Sequence, residues 1–379
     1  MSENPHASDG YESAANRTET VAEFHDEADK TLIKRFQHVL HQNPSLVPLI
    51  VLVLSTLGLG IYIDWEPIMV SLGFARLEDV SNGSFRFFNS FTLTLILQQV
   101  QIVGVLAAAQ TLIILTAGID LSVGAIAVLC SVIMGQFTFR YGIPPAVAVA
   151  IGLAAGTAIG AVSGWLVSRV KLPPFIVTLG MWQIVLAANY LYSRNETIRS
   201  QDIQAQAPFL QTMGTQFKFS GATFTLGVIS MLIIVFVLAY ALRSTAWGRH
   251  VYAVGDDIEA AELAGVDTHK TLMSVYMLAG FICAFAAWVM IGRFGSVSPS
   301  ATTGVIGNIQ AITAVVIGGI SLFGGRGSIL GALFGALIVG VFELGLRMAG
   351  ADPQWTFLLI GALIIGAVTV DQWIREVSS

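Results

Sequence analysis

The chain has 379 residues, of which 55% are hydrophobic and only 11% are charged, and its mean hydropathy is +0.74. Soluble domains carry about 25% charged residues, so this composition indicates an integral membrane protein. The formal net charge is −5, without the basic excess that a nucleic-acid partner requires.

Residues 1–45 form a polar segment ahead of the first apolar run. The segment is rich in Ser, Asn, Glu and Asp and lacks the apolar core of a cleavable signal peptide, so we expect an N-terminal tail. Lys34 and Arg35 lie shortly before the first apolar run, which favours a cytoplasmic N-terminus. Residues 46–375 are expected to form a single transmembrane domain.

Ten apolar runs have, or nearly have, the roughly 20 residues that a spanning helix needs. They cover residues 46–63, 90–117, 121–139, 144–168, 173–193, 224–242, 271–292, 305–322, 327–348 and 354–370. The run 90–117 contains four glutamines, so we expect it to be broken or to line a polar cavity. The run 305–322 has glycines near its ends and is expected to be short. An even number of crossings places both termini on the same side of the membrane.

Two of these runs carry glycines at a spacing of four residues, which aligns them on one helix face. Small residues on one face let two helix backbones approach closely in lipid, so we expect both helices to pack centrally. The residues are Gly152, Gly156, Gly160 and Gly164 in one run and Gly327, Gly331 and Gly335 in the other.

A short internal repeat joins two run boundaries. Residues 117–124 (AGIDLSVG) and 318–325 (GGISLFGG) are identical at four of eight positions. Related halves are common in transporters. Ten helices place both segments on the same side of the membrane, and an inverted repeat would need one crossing more or one fewer between them.

Polar side chains within or beside the apolar runs are the candidates for a substrate path. They are Asn89, Gln98, Gln99, Asp120 and Gln183. Amides suit hydrogen bonding to a neutral polyhydroxylated solute, but they also serve as hydrogen-bonding links between membrane helices. Asp120 is either a group on the path or an N-cap for the run that starts at residue 121. The sequence leaves both interpretations open.

The sequence contains no motif for chemistry of its own. Residues 325–331 are glycine-rich but lack the GK[ST] of a nucleotide-binding loop, and no His and Cys residues have the spacing of metal ligands. A catalytic triad is also absent. We therefore expect a protein that is not an enzyme, that binds no metal or cofactor itself, and that obtains any ATP chemistry from another chain.

The polar loop 243–270 stands between two long apolar runs. Asp256-Asp257-Ile258-Glu259 has the form of a capping box, with Asp256 as the cap. The good helix formers at 258–264 and the stop signal Gly265 predict a helix of about two turns that is capped at both ends. So short a helix is marginal alone, and we expect it to lean on another surface.

Glu259-Ala260-Ala261 followed by Gly265 matches the EAA---G pattern of ABC importer permeases. Four stretches also resemble the ribose/xylose/fructose branch of bacterial sugar permeases. They are AGIDLSVGAI (117–126), KLPPFIVTLG (171–180), GRHVYAVGDDIEAAELAG (248–265) and AVVIGGISLFGGRGS (314–328). The segments TAWGRHVYAVGDD and MWQIVLA are most similar to the fructose permeases of that branch. The resemblance covers roughly residues 46–375.

The resemblance implies an all-α integral membrane protein with about ten transmembrane helices, a type II-like ABC importer permease of the bacterial inner membrane. It implies a permease homodimer, two cytoplasmic ATPase subunits that bind ATP-Mg, a periplasmic sugar-binding protein and a monosaccharide substrate. The alternative is an ATP-independent secondary carrier, which the lack of a chain of membrane carboxylates disfavours.

The resemblance also assigns a role to the polar loop. In this family the EAA segment forms a cytoplasmic coupling helix that lies in a groove of the ATPase. Carried over to this chain, Glu259, Ala260, Ala261 and Gly265 form the contact, with Asp256 and Asp257 as caps. Which sugar is carried does not follow from these residues.

Overall fold

The structure, a computed structural model, describes residues 45–74, 84–219 and 221–378. The predicted tail 1–45 lies outside the described residues except for Ser45. The apolar runs form α-helices whose bounds mostly lie within a few residues of those expected from the sequence, although the last helix continues to Ser378. The helices of the described chain are α1 (Leu46–Ile63), α2 (Trp65–Ser71), α3 (Ser90–Leu115), α4 (Val123–Tyr141), α5 (Pro145–Ser168), α6 (Pro174–Ser193), α7 (Ser200–Gln206), α8 (Leu226–Ser244), α9 (Ala246–Asp256), α10 (Ile258–Leu263), α11 (Thr268–Phe294), α12 (Ala301–Ile317), α13 (Ile329–Met348) and α14 (Pro353–Ser378).

Eight helices of the described chain are long and apolar enough to cross a membrane, namely α1, α3, α4, α5, α6, α8, α11 and α13. Two shorter apolar helices, α12 and the Gln354–Thr369 part of α14, correspond to the other two predicted runs. The prediction of an all-α integral membrane protein is confirmed, and α12 is short, as expected.

The run 90–117 is not broken: α3 is one continuous helix of 26 residues. Gln101 finds partners without opening the helix. Gln101 accepts a hydrogen bond from Thr225 Oγ1 at 2.7 Å and donates from Nε2 to the Gln98 carbonyl at 3.0 Å. The Gln101 amide thus bonds to the Thr225 side chain and to a second lone pair of the Gln98 carbonyl oxygen. The backbone of α3 therefore keeps its own hydrogen bonds.

The bundle has two ends that differ in their connections. At one end, Leu115, Gly255 and Gly325 come together, and we name it the loop end. At the other, strands β1 (Gln216–Phe219) and β2 (Ala222–Thr225) form an antiparallel hairpin that follows the 3₁₀ helix Pro208–Gly214. The Thr223 N–H donates to Thr94 Oγ1 at 2.8 Å, so the hairpin is fastened to the start of α3. We name this the hairpin end.

Helices α5 and α11 pack with their backbones in contact. A Cβ on Gly160 would collide with the Tyr276 carbonyl oxygen, and one on Gly280 would collide with the Gly156 carbonyl oxygen. Gly152 and Gly164 lie on the same face of α5, against Met134 and Tyr276. The absence of side chains at these positions therefore sets the closest approach between the two helices.

The second glycine series packs α13 on α12, with one exception. Gly331 lies against the Gly318 backbone, and Gly335 against the Ala314 backbone. Gly327 does not belong to this helix face, so its assignment to helix packing is wrong. It precedes the first residue of α13 and has φ +131°, a conformation of the preceding link in which it contacts Ile320.

We predict that Gly160→Ala destabilises the α5–α11 contact. The added methyl group has no room beside the Tyr276 carbonyl, and overpacking of this kind costs about 1–3 kcal/mol. The measurement is the apparent melting temperature of the purified protein in detergent.

Gly180→Ala is the matched control, because Gly180 lies inside α6 with nothing within 4 Å of a Cβ. Replacing a glycine inside a helix by alanine, where there is room for the methyl group, stabilises the protein by about 0.5–1 kcal/mol or has no effect. Equal melting temperatures for the two variants would contradict the packing argument.

Candidate functional site

Helix α9 is part of the polar loop and was not predicted from the sequence. Its N-cap Thr245 accepts a hydrogen bond from the Gly248 N–H at 3.1 Å, and Trp247 Nε1 donates to Ser274 Oγ of α11 at 2.8 Å. The Tyr252 hydroxyl donates to the Gly327 carbonyl at 2.9 Å, and burial raises the pKa of Tyr252. These contacts hold α9 flat against the loop end of the bundle.

The C-terminus of α9 meets the end of α3 and the link between α12 and α13 through backbone atoms. The Gly325 N–H donates to the Leu115 carbonyl at 3.0 Å. A Cβ on Gly255 would collide with that carbonyl and lie 2.7 Å from the Gly325 nitrogen. We call this contact of Leu115, Gly255 and Gly325 the backbone junction. Any side chain at Gly255 would push α9 away from it.

The two internally similar segments, residues 117–124 and 318–325, lead away from the ends of α3 and α12 at the junction. Both helices end in the same pair of hydrogen bonds, from Gly118 to Ile113 and Ala117 to Ile114 in one, and from Ile320 to Val315 and Gly319 to Val316 in the other. This is the Schellman arrangement, and Ala117 and Gly319 accordingly have positive φ of 59° and 73°.

The similar segments are not placed as an inverted repeat. Both helices run from the hairpin end to the loop end, and Gly324 packs directly on Ala117. The segments lie on the same side, as the count of ten crossings required.

Helix α10 follows α9 directly, and its N-cap is Asp257. The Asp257 carboxylate accepts hydrogen bonds from the Glu259 and Ala260 N–H groups at 2.9 and 3.0 Å. The prediction that Asp256 is the cap is wrong, because Asp256 is the last residue of α9. With Asp257 as the cap, the third residue of the helix is Ala260, so the expected capping box does not form and Glu259 is an acidic residue of the first turn.

The C-terminus of α10 is also capped, as expected. Val266 N–H donates to the Ala261 carbonyl at 3.0 Å and Gly265 N–H to the Glu262 carbonyl at 2.9 Å, which is a Schellman motif. Gly265 has φ +86°, the left-handed conformation that glycine adopts without strain. The chain can therefore turn sharply from α10 into α11.

Helix α11 begins at a second capped turn. Asp267 accepts from the Lys270 N–H at 3.0 Å and pairs with Lys270 Nζ at 2.8 Å. The hydrogen bond from the Lys270 side chain lowers the pKa of Asp267. Thr268 Oγ1 donates to Glu262 Oε1 at 2.6 Å, which ties α10 to α11. These bonds fix the orientation of α10 relative to the bundle.

One face of α10 is covered and the other is open. Ala261 is 4% exposed and belongs to the core, whereas Leu263 is 90% exposed and Ile258 is 44% exposed. Glu259 and Ala260 are also exposed. A rigid, doubly capped helix thus presents apolar and acidic groups away from the bundle. Leu263 was not singled out from the sequence, where it is one apolar residue among many.

The five polar residues proposed for a substrate path do not gather in one cavity. Asn89 caps α3 by accepting from the Thr92 N–H at 2.8 Å, Gln98 and Gln99 are half-buried, and Gln183 is exposed on α6. Their assignment to a path remains a prediction.

Asp120 is 4% exposed and lies in the link between α3 and α4. Its carboxylate accepts from the N–H and the hydroxyl of Ser122, both at 2.6 Å. Gln110 is fully buried, and its amide fits hydrogen bonds of 3.0 and 3.2 Å to the Asp120 backbone. Asp120 therefore forms a local turn ahead of α4 rather than capping the helix itself, which begins at Val123.

A bundle of apolar helices that packs through glycines and carries one capped polar loop at its end is the architecture of a multi-pass membrane protein. Residues 92–368 match the family model described as branched-chain amino acid transport system / permease component. The match covers most of the chain, and the protein belongs to this family.

Curated relatives are similar over nearly their whole length. A fructose import permease protein of Rhizobium meliloti is 61% identical over 365 residues, which cover 96% of this chain and 95% of the relative. A ribose import permease protein of Escherichia coli K12 is 36% identical over 77% of this chain and 89% of the relative. A xylose transport system permease protein of Haemophilus influenzae is 28% identical over 84% and 97%.

We predict that Asp257→Ala loosens α10 whereas Asp256→Ala does not. Loss of an N-cap costs about 1 kcal/mol, which corresponds to roughly fivefold faster local exchange of the amides at 258–263. Asp256 makes its junction contact through its backbone, so its alanine variant is the matched control.

Hydrogen exchange with mass spectrometry on both variants is the measurement. Faster exchange in the Asp256→Ala variant alone would contradict the assignment of Asp257 as the cap.

Proposed function

We propose that this chain is the membrane-spanning permease subunit of an ATP-driven ABC importer that passes a monosaccharide into the cytoplasm. The observation that carries the proposal is the 61% identity, over 96% of the chain, to a fructose import permease protein. The ribose and xylose permeases share the same permease framework at lower identity. Fructose is therefore the first sugar to test.

The name of the family model favours a second candidate, a branched-chain amino acid. An amino acid carries two opposite charges, which a membrane path must balance with charged or strongly polar groups. The buried polar side chains of the described residues are amides and hydroxyls apart from two aspartates. Asp120 is engaged by Ser122, and Asp64 by the backbone N–H groups of Phe87 and Phe88. This environment suits a neutral sugar better than a zwitterion.

Helix α10 is the proposed docking point for an ATPase subunit. Of the motif residues, Glu259 and Ala260 are exposed and contact the partner, together with Leu263. Ala261 is buried, so it seats the helix on the bundle, and Gly265 turns the chain into α11. Asp257 caps the helix and Asp256 joins it to the backbone junction. A displacement of α10 therefore reaches α9 and then the end of α3 and the link between α12 and α13.

The docking role sets the orientation in the membrane. The loop end faces the cytoplasm and the hairpin end faces the periplasm, where a sugar-binding protein delivers its ligand. With ten crossings both termini are cytoplasmic, in the inner membrane of a bacterium. Two copies of the permease form the pore, and the ATPase subunits bind ATP-Mg, so this chain carries no catalysis and no cofactor.

The division of the chain follows the same proposal. Residues 46–375 form the permease domain, with 243–270 as its coupling loop, and residues 1–45 form an added tail. Five polar residues are proposed to contact the sugar only when the pore opens. They are Asn89, Gln98, Gln99, Asp120 and Gln183.

Reconstitution tests the function directly. The permease is placed in proteoliposomes with or without its ATPase and binding protein. Uptake of labelled fructose is followed with ATP on the side of the membrane where the ATPase binds. We expect uptake only from the complete complex with ATP. Uptake by the permease alone, insensitive to ATP, identifies a secondary carrier and overturns the importer.

We predict that Leu263→Ala weakens binding of the ATPase and slows fructose uptake. An exposed leucine that becomes buried in a partner groove contributes about 1–2 kcal/mol, so the affinity falls about tenfold. The affinity of the detergent-purified permease for the ATPase is the measurement.

Leu191→Ala makes the same change at a residue that is 82% exposed on α6, away from the loop end. It should leave the affinity unchanged. If Leu263→Ala binds the ATPase as tightly as the Leu191→Ala control, the docking surface is not on α10.

A further inference from the structure

Asn189 is a buried amide with one atom that has no partner. The residue is 2% exposed, and its Nδ2 donates to the Pro299 carbonyl at 3.0 Å. Its Oδ1 has no hydrogen-bond partner among the described residues. Buried acceptors are satisfied in most proteins, so this oxygen calls for a donor from outside the described chain, either a water molecule or a hydroxyl group of a ligand.

Asn189 lines a small, largely enclosed cavity between α4, α6 and the start of α12, which in this conformation has a volume of about 10 Å³, room for about one water molecule. None of the eight lining residues is charged. They are Ala125, Val128, Trp182, Leu186, Asn189, Ser300, Ala301 and Gly304. The walls thus combine an apolar surface, one indole ring and one free amide acceptor.

This set of groups matches one chemical class of ligand. A sugar hydroxyl can donate to Asn189 Oδ1, and the negative face of an indole attracts the slightly positive C–H face of a sugar ring. Few polar groups in an otherwise apolar pocket give orientation without strong binding. A charged solute would find no counter-charge among the lining side chains.

The cavity is narrow in this conformation, and polar contacts close it on two sides. Toward the hairpin end, the Tyr190 hydroxyl accepts from the Ala301 N–H at 3.3 Å, next to the bond from Asn189 to Pro299. Toward the loop end, Asn308 donates to the Leu121 carbonyl and accepts from the Gly124 N–H. These bonds can be exchanged for bonds to hydroxyl groups as α12 moves away from α6.

We propose that this cavity is a transit site for a neutral sugar, in which Asn189 Oδ1 accepts a hydroxyl group and Trp182 stacks on the ring. The proposal rests on the proposed function as a sugar permease. It adds specific contacts that lie apart from the five polar residues expected from the sequence.

The first test uses the complete complex of permease, ATPase and binding protein in proteoliposomes, with labelled fructose. We expect Trp182→Ala and Asn189→Ala each to lower uptake by about tenfold while ATP hydrolysis changes by less than about twofold. Trp165→Ala is the matched control, because Trp165 is 50% exposed on α5 and outside the cavity. It should transport like the unmodified complex.

The second test does not depend on how well those variants fold. Ala301→Cys is introduced after the buried Cys130 and Cys283 are replaced by alanine, and labelling of the new thiol by a small alkylating reagent is timed. We expect fructose to slow the labelling in proportion to occupancy, and a sugar that is not transported to leave it unchanged.

The outcomes separate the two proposals. Absence of ATP-driven uptake by the unmodified complex would overturn the proposed function, and the transit site with it. A different set of results would overturn the transit site alone. The unmodified complex would take up fructose normally, the Trp182→Ala and Asn189→Ala variants would transport as well as it does, and fructose would not protect the Ala301→Cys thiol.

Discussion

The contact of three backbones at Leu115, Gly255 and Gly325 is the constraint on which the loop end depends. The Gly325 N–H bonds to the Leu115 carbonyl, and Gly255 leaves no space for a side chain between them. A contact made of backbone atoms has no rotamers through which to yield, so displacement of α9 must move the chain segments that it touches. Asp257 is the single residue between α9 and α10. A movement of α10 therefore acts on the junction through α9.

The internal similarity of residues 117–124 and 318–325 acquires a physical meaning at this junction. Both segments must reverse the chain immediately after a membrane helix and both must let another backbone approach. The first need explains the left-handed residues Ala117 and Gly319, and the second explains Gly324 against Ala117. Similar sequence therefore arises from similar local geometry at the same end of the bundle, with both preceding helices running in the same direction.

Much of this fold was predictable because length and composition are enough to recognise a membrane helix. The bounds of α1 and the stop at Gly265 followed from local signals that tertiary contacts do not override. Helix α9 was missed because its buried residues include two glycines, Gly248 and Gly255, which locally favour a loop. The sequence placed the cap one residue too early, at Asp256, because either of two adjacent aspartates can cap a helix that starts here. The packing of Asp256 against Gly325 leaves Asp257 as the cap. Trp182 and Asn189 are seven residues apart and share one face of α6, but only the packing of α4 and α12 closes a cavity over that face.

Helix α12 connects the cavity to the backbone junction. Its 17 residues span about 25 Å, from Gly304 beside the cavity to Gly318 beside the link that reaches Gly325. At both ends the neighbouring helix meets it through backbone, at Gly124 and at Gly331. Under the proposed function, the glycines of this protein therefore serve two purposes, because the close packing that holds the bundle together in lipid also couples α12 to its neighbours between the ATPase side and the sugar.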